Sequence, residues 1–351
     1  MRPETILEDL AVLREQIQLA LAGEVSGPVA VKSKEPDVQL LAQGVNDLLR
    51  RLLAVKASLL AEGRKATDGE GRLGAGTGVL RRIADFDAVG AELRDAVENR
   101  SVDVWYQPIV SAKVRNIVGF EALMRLRRRD GTVLRPADFM PVVETTDLMA
   151  PLTELLLEQS LTQLSQWQQS QQINPRCFMS VNLAPRHILS GDLVEMIRRV
   201  LERTGVSPSL LKLEVTETVL IEQMDVAAEQ LNKVREMGCS IAIDDFGTGY
   251  SSLLYLQRLP LDLLKLDRAF VREMVLERRP LAIARTICEL AVVLGLDVIA
   301  EGVETIPQAE LLESLGVKYL QGHWFKEPTE GVPLTEWLDS NEVHRFSRII
   351  R

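Results

Sequence analysis

Eight short runs of apolar and β-branched residues recur between residues 103 and 325, and amphipathic stretches with helical periodicity separate most of them. The runs cover 103–111, 117–126, 177–184, 210–217, 240–247, 261–268, 297–304 and 319–325. The helical stretches cover 151–170, 190–204, 220–237, 279–294 and 306–315. Strands that alternate with crossover helices over roughly 255 residues predict an α/β fold, a (β/α)8 TIM barrel.

The connection between the first two runs departs from a regular barrel. Only a few residues, around Ser111 to Arg115, separate them. A parallel pair of strands needs a crossover of about a dozen residues or more. We therefore predict that the first two strands of the barrel run antiparallel.

The polar residues of these runs follow one rule, because each run is apolar until its C-terminal part and then presents an acid, an amide or a lysine. These residues are Glu121, Asn182, Glu214, Glu217, Asp244, Asp245, Lys265, Asp267, Glu301, Glu304 and Gln321. The C-terminal ends of barrel strands meet at one face, which carries the active site. A single acid at a strand end is often only a helix cap or a loop ion pair. Seven strand ends that follow one rule predict a site.

At that face five carboxylates and one amide should form a cluster: Glu121, Asn182, Glu214, Asp244, Asp245 and Glu301. Like charges in a cleft need cations or protons. The chain has only three Cys and three His, without the paired spacing of a zinc site, so a hard cation such as Mg²⁺ or Mn²⁺ is predicted. The adjacent Asp244 and Asp245 suit two metal ions, as in a two-metal phosphoesterase.

Composition narrows the remaining classes. The 50 acidic and 41 basic residues give a net charge of −9, which disfavours broad binding of nucleic-acid polymers. No apolar run of membrane-spanning length and no secretion signal are visible, so a cytoplasmic protein without a membrane span is expected.

Residues 1–62 show a different pattern, with apolar residues at alternating spacings of three and four in two segments. This pattern predicts helices that pair with a second chain, and hence a homodimer. Helix, connector and helix resembles a HAMP signalling module, and a dimerising coiled coil with a loop is the alternative. A glycine-rich linker is predicted at 63–79, the barrel at 80–340 and a C-terminal tail at 341–351.

Several motifs of the barrel region occur in one order. They are Y-Q-P-I at 106–109, E-A-L-M-R at 121–125, S-V-N-L-A at 180–184, L-E-V-T-E at 213–217, I-D-D-F-G-T-G-Y-S-S-L at 243–253, L-L-K-L-D at 263–267, A-E-G-V-E at 300–304 and Q-G at 321–322. The region from about 86 to 340 thereby resembles the EAL domain, a bacterial cyclic di-GMP phosphodiesterase. The resemblance implies a modified (β/α)8 barrel with its first two strands antiparallel.

The resemblance also implies roles for individual residues. The metal ligands would be Glu121, Asn182, Glu214, Asp244, Asp245 and Glu301, with Asp244 shared by two Mg²⁺ or Mn²⁺ ions. The catalytic groups would be Lys265, Glu301, Gln321 and Glu217, the last holding the loop 246–252. The contacts to the dinucleotide would come from Gln107, Arg125, Glu121, Asp267 and Glu304. The product would be the linear diguanylate with a 5′ phosphate.

Two readings of the function follow from the resemblance. One is hydrolysis of cyclic di-GMP, and the alternative is a receptor for cyclic di-GMP that signals through its N-terminal helices without turnover. The implied metal ligands and Lys265 are all present, which favours the enzyme. The segment after Q-G departs from the family pattern at His323, Lys326 and Glu327, and an acid there would weaken the binding of an anionic ligand.

Overall fold

The computed structural model describes residues 75–189, 191–216, 223–246 and 258–340. Nearly all of these residues belong to a compact unit that begins at Arg81. The helices predicted within 1–62 and the tail predicted at 341–351 lie outside the described residues. Among the helices in the described ranges, none combines the length and the apolar character needed to cross a membrane.

Eight strands close into a barrel. They are β1 (Asp103–Ser111), β2 (Ile117–Arg127), β4 (Phe178–Leu183), β5 (Leu211–Thr216), β6 (Ser240–Phe246), β7 (Leu263–Leu266), β8 (Asp297–Ala300) and β9 (Tyr319–Gln321). Two short strands pair antiparallel with barrel strands, β3 (Val133–Leu134) with β2 and β10 (Thr329–Glu330) with β1. From β2 to β9 neighbouring barrel strands are parallel, whereas β1 is antiparallel to both β2 and β9. The predicted barrel and its antiparallel first pair are confirmed.

Helices surround the barrel on its outer side. They are α1 (Ala75–Glu98), α2 (Pro136–Val143), α3 (Met149–Gln169), α4 (Pro185–Ile188), α5 (Leu193–Thr204), α6 (Met224–Glu236), α7 (Arg268–Arg272), α8 (Arg278–Leu294), α9 (Ile306–Ser314) and α10 (Gly331–Asp339). The five predicted helical stretches correspond to α3, α5, α6, α8 and α9. The aliphatic core lies between these helices and the strands, and Cys177, Cys239 and Cys288 are buried there as free thiols.

Helix α1 begins earlier than the glycine content predicts. Residues 75–79, the end of the predicted linker, are helical, and the rest of that linker lies outside the described residues. Glycine costs a helix only about 1 kcal/mol relative to alanine, so a helix with a packed downstream part can continue through it. In α1 that part is the buried face of Val89, Leu93 and Ala96, which packs against α2 and α3.

Strands β8 and β9 are shorter than predicted. Strand β8 ends at Ala300, and the chain then turns through Gly302, which has φ of 66°. Glu301 and Glu304 therefore lie in the loop after the strand rather than on it. Thr305 and Gln308 form a capping box that begins α9, and Gln308 Oε1 accepts hydrogen bonds from the backbone N–H groups of Glu304 and Thr305.

The N-terminal half of the barrel interior is apolar. Ile109, Phe178, Ala242, Leu263 and Ile299 pack against each other there, each from a different strand. A Cβ at Gly119 would lie 2.6 Å from the ring of Phe178, so glycine on β2 gives this ring its space. Because side chains on one strand alternate between the two faces, the residue two positions further on also points inward. The next interior layer is therefore fixed by this one.

Candidate active site

Polar side chains form the interior layer above the apolar one. They are Gln107, Glu121, Ser180, Glu214, Asp244, Lys265 and Gln321, all buried, and Glu301 at the end of β8. Most of them lie two residues along the chain from a residue of the apolar layer or from Gly119, for example Ser180 after Phe178 and Lys265 after Leu263. Because side chains alternate between the two faces of each strand, residues that are distant in the chain meet in one polar cluster.

The side chain of Lys265 lies at the centre of this cluster and is 1% exposed. Its Nζ lies 2.6 Å from Glu214 Oε2 and 2.6 Å from Glu301 Oε1. The same atom lies 3.2 Å from Asp244 Oδ1 and 3.5 Å from Glu121 Oε1. One ammonium therefore bridges four carboxylates that come from four different strands or strand ends.

These distances set the protonation of the cluster. Burial would lower the pKa of Lys265, but the four carboxylates outweigh it and hold that pKa well above its ordinary value. Burial raises the pKa of Glu301 to about 7 against the opposing charge of Lys265. Burial and the charge of Glu121 raise the pKa of Glu214. One lysine thus leaves a surplus of negative charge in the cluster.

Glu121 differs from the other two glutamates, because its pKa is lowered in spite of its burial. The charge of Lys265 and the hydrogen bonds to its carboxylate outweigh the desolvation. Asn182 Nδ2 donates to Glu121 Oε1 at 2.8 Å, and Gln321 Nε2 donates to Glu121 Oε2 at 2.6 Å. Glu121 is therefore held ionised on β2, between Asn182 of β4 and Gln321 of β9.

The amides of Gln107 and Gln321 continue this network. Gln321 Nε2 also donates to Gln107 Oε1 at 2.8 Å, and Gln107 Nε2 donates to the main-chain oxygen of Lys326 at 3.1 Å. Gln321 Oε1 is buried and accepts no hydrogen bond from any group that the structure describes. A buried acceptor without a donor marks a place where a water or ligand group would bind.

The Asp244-Asp245 pair sits where β6 loses its regular register with β7. Asp245 has φ of 54°, a left-handed conformation that is uncommon outside glycine and is often found at functional sites. Partial burial raises the pKa of the Asp245 carboxyl group, and the negative charges of Asp244 and Asp267 raise it further. The charges of Lys265 and Glu121 also act on Asp245, so the irregular backbone keeps both adjacent carboxylates near the cluster, whereas a regular strand would turn them to opposite faces.

The remaining predicted residues are placed as follows. Arg125 is buried on β2, with its guanidinium 5.4 Å from the centre of the Trp105 ring. Asp267 Oδ1 accepts from the N–H of Ala269 and caps α7. Glu304 is exposed and forms no side-chain ion pair or hydrogen bond with a described residue. Glu217 and most of the loop it was predicted to hold lie outside the described residues.

The residues that depart from the family pattern avoid the cluster. Lys326 directs its ammonium to the ring of Trp337, 5.5 Å from the ring centre. His323 Nδ1 lies 3.6 Å from Glu327 Oε1, and both side chains are exposed. The carboxylate of Glu327 therefore lies beside the imidazole of His323 and is open to solvent.

Sequence reasoning missed Ser180 as a member of the cluster. Its Oγ donates to Glu214 Oε1 at 2.5 Å, and the side chain is fully buried. Together with Lys265, which donates to Glu214 Oε2, it fixes both oxygens of that carboxylate. The inward position of Ser180, two residues before Asn182, could have indicated this contact.

The donors of the cluster fit a hard divalent cation. Within the described residues no three carboxylate, imidazole or thiol groups stand at metal-binding spacing, because the carboxylates close on Lys265 instead. All donors are nevertheless oxygens, and the raised pKa values of Glu214 and Glu301 report negative charge that a cation would neutralise. Asn182 donates through Nδ2, which leaves its Oδ1 to accept.

The chain resembles proteins of known family. The model of the EAL domain matches residues 91–328. The bifunctional diguanylate cyclase/cyclic di-GMP phosphodiesterase MucR of Pseudomonas aeruginosa is 38% identical over 237 residues, 68% of this chain and 34% of MucR. The probable cyclic di-GMP phosphodiesterase PdeB of Escherichia coli is 36% identical over 266 residues, 76% of this chain and 49% of PdeB.

A solved structure described as the PaMucR phosphodiesterase in complex with c-di-GMP superposes with a TM-score of 0.66 at 37% identity. It covers 70% of this chain and 99% of that one. The chain spans at most about half the length of the curated relatives named above. The match over 91–328 includes every residue of the polar cluster. The chain belongs to the EAL domain family.

Proposed function

We propose that the chain hydrolyses cyclic di-GMP to the linear diguanylate with a 5′ phosphate, using two Mg²⁺ or Mn²⁺ ions. The observation that carries this proposal is the convergence of four carboxylates and one lysine in the mouth of an EAL-family barrel. The relatives MucR and PdeB, named as cyclic di-GMP phosphodiesterases, support the choice of substrate.

Residues of the cluster would hold the two cations. Glu121, Asn182, Glu214 and Asp244 would be the ligands for one ion, and Asp244, Asp245 and Glu301 would be those for the other. Bound divalent cations would lower the pKa of a water molecule and neutralise charge on the scissile phosphate. Hydrolysis adds the water oxygen to phosphorus, breaks the bond from phosphorus to O3′ and leaves a proton on O3′.

The protein groups have separate tasks in this reaction. The ammonium of Lys265, buried and positive, stabilises negative charge that develops on the phosphate. Gln321 Oε1, a buried acceptor, orients the attacking water by accepting one of its hydrogens. Arg125 helps to bind the dinucleotide by pairing with one of its phosphate oxygens, for which a guanidinium is well suited. Gln107 holds Gln321 in place and contacts the ligand at the barrel mouth.

The test is incubation of the purified chain with cyclic di-GMP and Mg²⁺ or Mn²⁺, followed by chromatography of the nucleotides. Linear diguanylate should accumulate, and Ca²⁺ should suppress it because calcium prefers larger and looser oxygen shells. Tight binding of cyclic di-GMP without product in either metal would instead support the receptor that signals without turnover.

The hydrogen bond from Ser180 to Glu214 yields a first mutational prediction. Ser180→Ala removes a buried donor from a carboxylate ligand, and losses of such supporting groups cost about 10- to 100-fold in metal affinity or activity. We expect weaker Mn²⁺ binding by calorimetry and a lower kcat at saturating metal.

Ser160→Ala provides the matched control for this variant. Ser160 is also fully buried, but its Oγ donates to the main-chain oxygen of Leu156 within α3. Equal losses of Mn²⁺ affinity in the two variants would contradict a specific role of Ser180.

The N-terminal segment is proposed to pair two chains and thereby regulate the barrel. Helix α1 retains its buried residues from Val89 onward when residues 1–79 are removed. We expect the shortened protein to sediment as a monomer and to differ from the longer protein in its phosphodiesterase activity. Unchanged dimerisation together with unchanged activity would remove this proposal.

A further inference from the structure

In the hairpin of β2 and β3, the register places Arg135 near Arg125, close enough that the charge of Arg135 acts on the guanidinium of Arg125. Leu126 pairs with Leu134, and Arg127 pairs with Val133, in antiparallel register. Arg135 follows β3 directly and its backbone is still extended, with φ of −89° and ψ of 163°, so the same register continued by one residue sets it opposite Arg125. Side chains directly opposite in an antiparallel pair lie on one face with Cβ atoms about 5 Å apart.

These two arginines differ from the other arginines of the hairpin. Arg127 pairs with Asp103 and Glu330, Arg128 with Glu92, and Arg129 with Asp95. Among the described residues, Arg125 and Arg135 form no ion pair with a carboxylate. Within the part of the chain that the structure describes, Arg125 donates only to the main-chain oxygen of Met124, although Arg125 is nine-tenths buried.

The charges of the pair act on each other. Burial and then the charge of Arg135 lower the pKa of Arg125, whereas Glu121 acts in the opposite direction. Like charges directly opposite on a sheet destabilise the pair, so an arrangement of this kind is stabilised when an anion lies between them. Two guanidiniums can take the oxygens of one phosphate from two sides.

The position of the pair limits the ligand. Arg125 and Glu121 lie on the same face of β2, four residues apart, which corresponds to about 13 Å along a strand. A ligand that reaches both the carboxylate cluster and the arginine pair must carry anionic groups at two separate places. A single small phosphate does not meet this requirement, whereas a cyclic dinucleotide has two phosphodiesters.

We propose that Arg125 and Arg135 together bind the phosphodiester of cyclic di-GMP that is not cleaved, and that Arg135 is an affinity-determining residue of this chain. The identity of the ligand rests on the function proposed above. No contact described in the structure joins Arg135 to the carboxylate cluster, so its contribution is to the binding of substrate rather than to the chemical step.

The test compares Arg135→Gln with the wild type, by calorimetric titration of cyclic di-GMP in Ca²⁺ and by steady-state kinetics in Mn²⁺. The Kd and KM should each rise about tenfold, because one charge-assisted contact is lost, while kcat should change less than twofold. Arg135→Lys, which keeps the charge but not the planar fork, should recover part of the affinity.

Arg129→Gln is the matched control, since Arg129 is on the same hairpin and its side chain is 84% exposed. It makes the same change in net charge and should leave Kd within twofold. In the absence of ligand, Arg135→Gln should melt at the wild-type temperature or above it, because a repulsion has been removed.

Two results would overturn the inference and leave the proposed function intact: an unchanged Kd in Arg135→Gln, or a fall in kcat at unchanged KM. A loss of affinity in Arg129→Gln as large as in Arg135→Gln would also overturn it, since net charge alone would then explain the effect. A wild-type chain that neither binds nor cleaves cyclic di-GMP would overturn both, and the wild-type titration alone reveals this case.

Discussion

Lys265→Met is expected to lower kcat for cyclic di-GMP at least about a thousandfold and to destabilise the metal-free protein by about 3–5 kcal/mol. The substitution keeps the volume of the buried side chain but removes the only cation within hydrogen-bonding distance of Glu214 and Glu301 among the described residues. The carboxylates then have to take up protons or remain as uncompensated buried charges. Divalent cations should restore part of the stability but not the turnover.

Urea denaturation measures the free energy of unfolding, once with a chelator and once with Mn²⁺ instead. The rate of product formation gives kcat. Lys212→Met is the matched control, because Lys212 lies at the opposite end of the barrel, with its Nζ 4.5 Å from the centre of the Phe178 ring. It should cost some stability and leave kcat within a few-fold. A Lys265→Met enzyme that retains a tenth of the wild-type turnover would contradict the assigned role.

Gly322→Ala is expected to destabilise the protein by at least about 3 kcal/mol. A Cβ at this position would lie 2.2 Å from both the main-chain nitrogen and the main-chain oxygen of Val303. Val303 N–H donates to Gln321 O at 3.0 Å, so the clash falls on the junction that places Gln321 and Glu301. Backbone atoms held on both sides by hydrogen bonds cannot yield as the end of a flexible side chain could.

Gly316→Ala separates this steric effect from the general cost of losing a glycine. Gly316 has φ of 85°, and a Cβ there would meet no atom within 4 Å, so only backbone strain of about 1–2 kcal/mol is expected. Both variants can be compared by urea denaturation and by Mn²⁺ titration. If Gly322→Ala costs no more than Gly316→Ala, the close approach to Val303 does not constrain the site.

The sequence predicted the barrel well because its cues are local. Alternation of apolar runs with amphipathic stretches defines the strands and helices, and the short connection before β2 defines the antiparallel pair. The ends of the strands were less predictable. Strand β8 ends shortly before Gly302, whose positive φ the neighbouring residues do not indicate. The helical residues 75–79 were read as linker because the buried face that sustains α1 begins only at Val89, about three turns downstream.

Apart from Ser180, the members of the cluster were predictable from the sequence, but their arrangement was not. The rule that acids follow apolar strands places Glu121, Glu214, Asp244 and Glu301 at one face, and the structure brings them together. It could not place Lys265 among all four, because that depends on side-chain rotamers and on which charges are present. The pairing of Arg125 with Arg135 depends on the register of β3, a strand of two residues that no periodicity reveals.

The position of Lys265 between the carboxylates has a consequence for the folding of the metal-free protein. In many small metal-binding domains the ligands repel one another until the ion arrives, and the apo chain is unfolded. Here the chain carries its own positive charge into the site, and protons on Glu301 and Glu214 can offset the remainder. If the enzyme uses Mg²⁺ or Mn²⁺ as proposed above, its maturation has two stages: the barrel folds first, and the supply of the cation afterwards decides when it becomes active.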